Sequence, residues 1–158
     1  MPCFQTLMQD IHATTCLHEI ILNSKGFKDF IYTDRTIQQL KNAGGLRLID
    51  DKEIADSIIA YDAIIREMQI HQDVLENLQQ LANNAHKRMI DFVHMEELVR
   101  TGQTDTIMLL TSDRGELNQY FNTIQDFRKG LQGQYIWMLL VQDKANNLLT
   151  LLHKKGFD

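Results

Sequence analysis

The sequence predicts an all-α fold, an elongated antiparallel four-helix bundle with two long and two shorter helices, in a single domain over residues 1–158. Three features predict it. Through the last third of the chain Leu117, Tyr120, Ile124, Phe127, Leu131, Gln134, Met138, Val141, Ala145, Leu148 and Leu152 recur in alternating steps of three and four. That spacing keeps one seam of a helix turned toward a partner helix, as in a coiled coil. Ile54, Ile58, Tyr61, Ile65, Met68, Gln72 and Leu75 form a second seam of matching length, continued more loosely from Ala82 to Met89. Finally, Pro2 is the only proline, so nothing from Cys3 to Asp158 imposes the break that proline makes in a helix interior. A chain of 158 residues, 44% hydrophobic and 23% charged, can bury a core large enough to fold without staples.

The first helix is expected from Pro2 or Cys3 to about Asn23, where Phe4, Leu7, Met8, Ile11, Leu17, Ile21 and Leu22 make a broad apolar stripe. Proline suits a first helical turn, which has no amide partner to lose, and Ser24-Lys25-Gly26 reads as the stop. A second helix, Phe27 to Ala43, presents Phe27, Phe30, Ile31, Ile37 and Leu40 and ends at Gly44-Gly45, residues suited to a left-handed C-cap. Asp50 with Glu53 reads as a capping box, the aspartate accepting an orphan amide and the glutamate reaching back. The third helix therefore starts near Asp51 and runs to Phe92, or on to Arg100, before Gly102. Asp113 with Glu116 repeats the box and opens the fourth helix, which ends at Lys155 before Gly156. Gly130 and Gly133 within it cost about 1 kcal/mol each relative to alanine and allow a local bend without disturbing the register. Leu46-Arg47-Leu48-Ile49 and Ile107-Met108-Leu109-Leu110 are expected to plug the bundle ends, with two short paired segments as the alternative.

Folded back on each other with matched ends, the long helices bring Ile54 to Leu152, Ile58 to Leu148, Ile65 to Val141, Met68 to Met138 and Leu75 to Leu131. Tyr61 meets Ala145 and Ala82 meets Ile124, large against small, which fills layers without voids. Gln72 and Gln134 then share a layer, where each amide can satisfy the other and a slip by one heptad would leave both facing hydrocarbon. The two glutamines are expected to set the register. In the same pairing His71 comes near Gln134 and His86 near Tyr120, placed for hydrogen bonding rather than for a metal.

Sixteen basic against twenty-one acidic side chains give a net charge of -5, a field that repels phosphate backbones and argues against nucleic acid as a partner. His86-Lys87-Arg88, Arg128-Lys129 and His153-Lys154-Lys155 are too short to make a basic patch. Cys3 and Cys16 lie about 20 Å apart on one helix at its usual rise, too far for an intrachain disulfide. No apolar run approaches the ~20 residues that cross a bilayer, and Gln5, Gln9, Asp10 and His12 interrupt any signal-peptide pattern.

Catalytic signatures are missing as well. No Glu-x-x-His pair for a di-iron bundle occurs, His18-Glu19 has no second histidine at zinc-protease spacing, and Glu67 with His71 is an incomplete ligand set. His12, His18, His71, His86, His94 and His153 read as surface or structural histidines. Ser24, Ser57 and Ser112 lack a nucleophile elbow, Gly44-Gly45 lacks the rest of a phosphate loop, and Asp50 and Asp51 suit a helix start through the dipole alone. Catalytic, cofactor-binding and metal residues are each expected to be none, and no cofactor is expected. Trp137, Tyr135 and Met138 beside Gly133 form the bulky cluster where a small apolar pocket would be sought.

The stretch from Thr36 to Ile49, TIQQLKNAGGLRLI, followed by Lys52-Glu53 and Ile58 to Tyr61, resembles a segment of an uncharacterised bacterial helical-bundle family. Weaker echoes lie at Thr111-Ser112-Asp113-Arg114 and in the final helix. Members of that family usually carry one N-terminal transmembrane anchor ahead of a helical domain, and no activity is established for them. The resemblance thus implies a helical domain, soluble as given or tethered to a membrane, and carries over no site residue. Since this chain lacks the anchor, it is expected to be an excised domain, a truncated reading frame or a soluble relative. The leading expectation is a non-enzymatic helical interaction or sensory module with a protein partner or self-association and no direct membrane insertion. A bundle that binds a small apolar ligand is the alternative, and an enzyme ranks third.

Overall fold

The computed structural model describes residues 30–101 and 109–157, apart from the side chains of 97–99 and 101. The expected first helix, with Cys3, Cys16, His12 and His18, lies outside the described residues, as do Ile107 and Met108. The elements are α1 (Arg35–Asn42), a 3-10 turn (Gly45–Leu48), α2 (Lys52–Met89), α3 (Phe92–Thr101) and α4 (Arg114–Lys154). The described residues hold no strand beyond an isolated antiparallel bridge between Ile90 and Leu109, so the fold is all-α. Packing divides the chain into two compact units. The Tyr120 unit contains Leu75–Leu131, and the Asp62 unit contains Lys28–Val74 with Gln132–Asp158.

In the Tyr120 unit Leu75, Ala82, Ala85, Met89 and Ile90 are buried with Leu117, Tyr120, Phe121, Ile124 and Phe127 in one cluster. Apart from Ile90 and Phe121, these fall on the two predicted registers or on the looser run from Ala82 to Met89. Gly130 sits where a Cβ would lie 2.9 Å from Leu78 Cδ1 and 3.0 Å from Leu75 Cδ1, so its missing side chain lets α4 approach α2 closely. The Asp62 unit buries Ile65, Met68 and Val141, with Phe30, Tyr32, Tyr61, Ile64 and Trp137 partly buried around them. In each unit the two long helices touch in antiparallel order: Gly130 against Leu75 and Tyr120 against His86 in one, Trp137 against His71 and Lys155 against Asp51 in the other.

Several boundaries differ from expectation. The helix predicted from Phe27 begins only at Arg35, because Phe30 and Tyr32 turn inward while Ile31 and Thr33 turn out, the alternation of an extended segment. Gly44 does take the left-handed conformation, φ 69°, but the chain then tightens into the 3-10 turn, and Leu48 is exposed rather than plugging a core. The cap of α2 is Asp51, one residue after the expected Asp50: its Oδ1 accepts the Glu53 and Ile54 amides at 3.0 and 3.3 Å. Glu53 reaches toward Lys155 instead of folding back.

The expected third helix is two helices. It stops at Met89, whose carbonyl accepts the Leu110 amide at 3.0 Å; Ile90 is buried in its bridge to Leu109, and Asp91 Oδ1 caps α3 through the His94 amide at 3.0 Å. The lost helical bonds are thereby replaced at once. At the start of α4, Asp113 Oδ1 accepts the Glu116 amide at 2.9 Å as expected. The other half of that box is taken by Thr111, whose hydroxyl oxygen accepts the Asp113 amide at 3.1 Å. The helix ends at Lys154, one residue short of the expectation, and Gly156 takes φ 83° behind it.

Candidate functional site

The densest polar arrangement among the described residues surrounds Asp62, which α2 places one position beyond the seam residue Tyr61 and which is fully buried. Three side chains converge on it from two directions. From α2 itself, one turn on, Arg66 donates through Nε to Oδ2 at 3.0 Å and through a terminal nitrogen to Oδ1 at 3.4 Å. From the N-terminal segment, the Tyr32 hydroxyl donates to Oδ1 at 3.0 Å and the Lys41 ammonium, in the last turn of α1, pairs with Oδ2. Arg66 also donates to Asp34 Oδ2 at 3.2 Å, which the Gln38 amide contacts at 3.1 Å. Two carboxylates and two cations leave the cluster close to neutral.

Burial alone would raise the Asp62 carboxyl, but the hydrogen bonds from Arg66, Lys41 and Tyr32 outweigh it and hold it at about 2. Burial, helped by the hydrogen bond to Asp62 and its negative charge, pushes Tyr32 up to about 12. An ionised carboxylate so far below neutrality is a poor general base, and both of its oxygens are already engaged. The arrangement suits fastening better than catalysis.

A second polar pair lies in the core of the Tyr120 unit. His86 Nδ1 and the Tyr120 hydroxyl are 2.9 Å apart with both residues buried, and the rings meet edge to face at 5.5 Å. Burial lowers the His86 imidazole and raises the Tyr120 phenol, so both stay uncharged at neutral pH. A shallow depression lined by Arg88, Met89, Glu116, Gln119 and Tyr120 opens beside them.

Of the residues singled out from sequence, Trp137 packs on His71 with ring centroids 4.6 Å apart and planes tilted by 32°. Tyr135 and Met138 are exposed and do not join Trp137 in an apolar lining. Gln72 Oε1 accepts the Phe30 amide at 3.0 Å, while Gln134 Oε1 is buried without a hydrogen-bond partner among the described residues. The reciprocal glutamine pair expected to set the register is therefore not formed. His86 does meet Tyr120, as the predicted pairing places it. No group of three or more His, Cys, Asp or Glu side chains able to hold a metal occurs among the described residues.

Sequence reading missed Tyr32, Asp34, Lys41, Asp62 and Arg66. Asp62 with Arg66 is an i,i+4 acid–base pair beside an apolar seam, a signal visible in the chain; the partners across the fold have no local signature. Comparison of the chain with protein-family models, with curated proteins and with solved structures finds no match to any of them.

Proposed function

We propose that this chain is a non-enzymatic helical interaction module that works by self-association, its helices arranged as an antiparallel four-helix bundle. The observation that carries this reading is on α4, where Tyr135, Ile136, Met138, Leu139 and Leu140 are each between 45% and 63% exposed. Successive residues of a helix point in different directions, so this run is apolar around most of the helix circumference, a pattern of helices that are buried on several sides. Large contiguous apolar patches on soluble proteins mark association surfaces. No described helix is long and apolar enough to cross a membrane, which favours a protein surface over a bilayer as the cover. A bacterial source and a membrane tether rest on the resemblance, a sensory role on the general capacity of helical bundles to pass on small helix shifts, and all three belong to the same reading.

Light scattering across a dilution series tests it. The wild-type chain should shift from a larger species to monomer on dilution, and a variant carrying Ile136→Lys with Leu140→Lys should be monomeric throughout with unchanged helix content. A monomer at every concentration in the wild type would remove the proposal.

A further inference from the structure

We infer that residues 30–42 form a strap that detaches from α2 as a unit, with Asp62 as its catch, and that its opening uncovers Ile65, Met68 and Val141. The inference stands whether or not the chain self-associates, because it concerns one event within the Asp62 unit.

The strap has little to hold it by itself. α1 is eight residues long and contains no buried residue, and isolated helices of that length are marginal in water. Its N-cap, Asp34, makes no side-chain capping bond; the carboxylate is turned instead to Arg66 and Gln38. The helix has exchanged local stability for a tertiary tie.

Those ties share members. Tyr32 and Lys41 both end on Asp62, Arg66 joins Asp62 to Asp34, and the Phe30 amide binds Gln72. Losing the one carboxylate would release two strap residues together and leave Arg66 half-engaged, so the contacts should break as a set. Of the strap's apolar side chains, Phe30 and Tyr32 rest partly buried on Ile65, Met68 and Val141, while Ile37 and Leu40 of α1 are partly buried away from that cluster. A pivot is also present. Gly44 has φ 69° with open space where a Cβ would stand, and the 3-10 turn after it contains no buried residue, so rotation there disrupts no core.

Hydrogen exchange and the single tryptophan read this event separately in the full-length chain. In the wild type, the amides of Phe30 and of Gln38 to Ala43 should exchange through a local opening that low denaturant barely affects, while amides around Ile124 and Phe127 should exchange only by global unfolding. Asp62→Asn should lower strap protection by on the order of tenfold or more, and the milder Tyr32→Phe by less, with protection at Ile124 and Phe127 unchanged. Acrylamide quenching of Trp137, which packs beside the covered face, should rise in both variants at constant helix content.

Strap amides that exchange in the wild type only with global unfolding would overturn the inference, as would unchanged strap protection in Tyr32→Phe. Faster strap exchange with no change in Trp137 quenching would overturn the uncovering. The wild-type measurement and Tyr32→Phe decide the matter even where Asp62→Asn does not fold.

Discussion

His86 and Tyr120 meet inside the Tyr120 unit with imidazole Nδ1 2.9 Å from the phenol oxygen, and this buried contact links α2 to α4 through two titratable side chains. Its pH response is set by burial, which lowers the His86 pKa from the usual 6.5. A folded-state value below the unfolded one means that stability is full above about pH 6.5 and falls as the unfolded chain takes up a proton that the folded chain refuses. Thermal melts of the wild type should therefore decline progressively below pH 6.5, with His86→Gln flattening that decline. A melting temperature constant from neutral pH to pH 5 would contradict it.

Asp62 answers to a lower window. Its carboxyl is held at about 2 against an ordinary 3.8, so its contribution, about 2 kcal/mol by the size of that displacement, is complete above the ordinary value and disappears as pH falls through the folded one. Tyr32 has the opposite sign. With its phenol pushed from 10.0 to about 12, it stabilises fully below pH 10 and loses that contribution as pH rises through 12. Carbon-detected titration of Asp62, together with exchange at the strap amides, should show loosening of the Asp62 unit at both extremes and constancy between them. Strap protection, taken against the intrinsic exchange rate at each pH, that falls between pH 7 and pH 5 would refute the assignment.

The difference between these two centres also explains how much of the molecule can be read in its sequence. Tyr120 and His86 sit on or beside long periodic seams, and their meeting follows from laying one seam against the other. Ile90 was invisible for the reason that the seams were visible: its hydrophobic period continues through the helix break, and the bridge that pulls it away comes from Leu109, beyond α3 in the chain. Asp50 and Asp51 are chemically equal caps, and the choice between them coincides with a contact at the far end of the chain, where Lys155 lies 2.6 Å from Asp51. Phe30 and Ile31 fit a helical stripe as well as an extended one. What decides for the extended form is the set of partners Gln72 and Asp62, which local pattern cannot supply.

Two glycines of α4 should respond oppositely to alanine. At Gly133 nothing lies within 4 Å of the added Cβ, so the substitution gains helix propensity, about 1 kcal/mol, with nothing displaced. At Gly130 the same atom would meet Leu78 and Leu75 at 2.9 and 3.0 Å, and Leu75 is buried and cannot simply swing away. Overpacking there costs about 1–3 kcal/mol, which cancels or exceeds the propensity gain. Both variants gain the same propensity, so chemical denaturation should place Gly130→Ala below Gly133→Ala in stability by the overpacking cost, about 1–3 kcal/mol. Equal midpoints would mean that the helices separate freely at Gly130.

Gln72 and Gln134, alike in sequence and expected to serve each other, should also separate under mutation. Gln134 is 7% exposed and its Oε1 has no partner among the described residues, so the folded state bears the desolvation of an amide oxygen with no hydrogen bond in return. Gln134→Leu keeps the volume, removes that burden and should raise stability by about 1–2 kcal/mol. Gln72→Leu removes the acceptor of the Phe30 amide, leaving a strap N–H without its partner, and should lower protection across residues 30–42. Denaturation midpoints and hydrogen exchange on the two single variants measure these signs. A loss of stability in Gln134→Leu would show that the buried oxygen does have a donor in solution, and the pairing of the long helices would then owe its register to that bond after all.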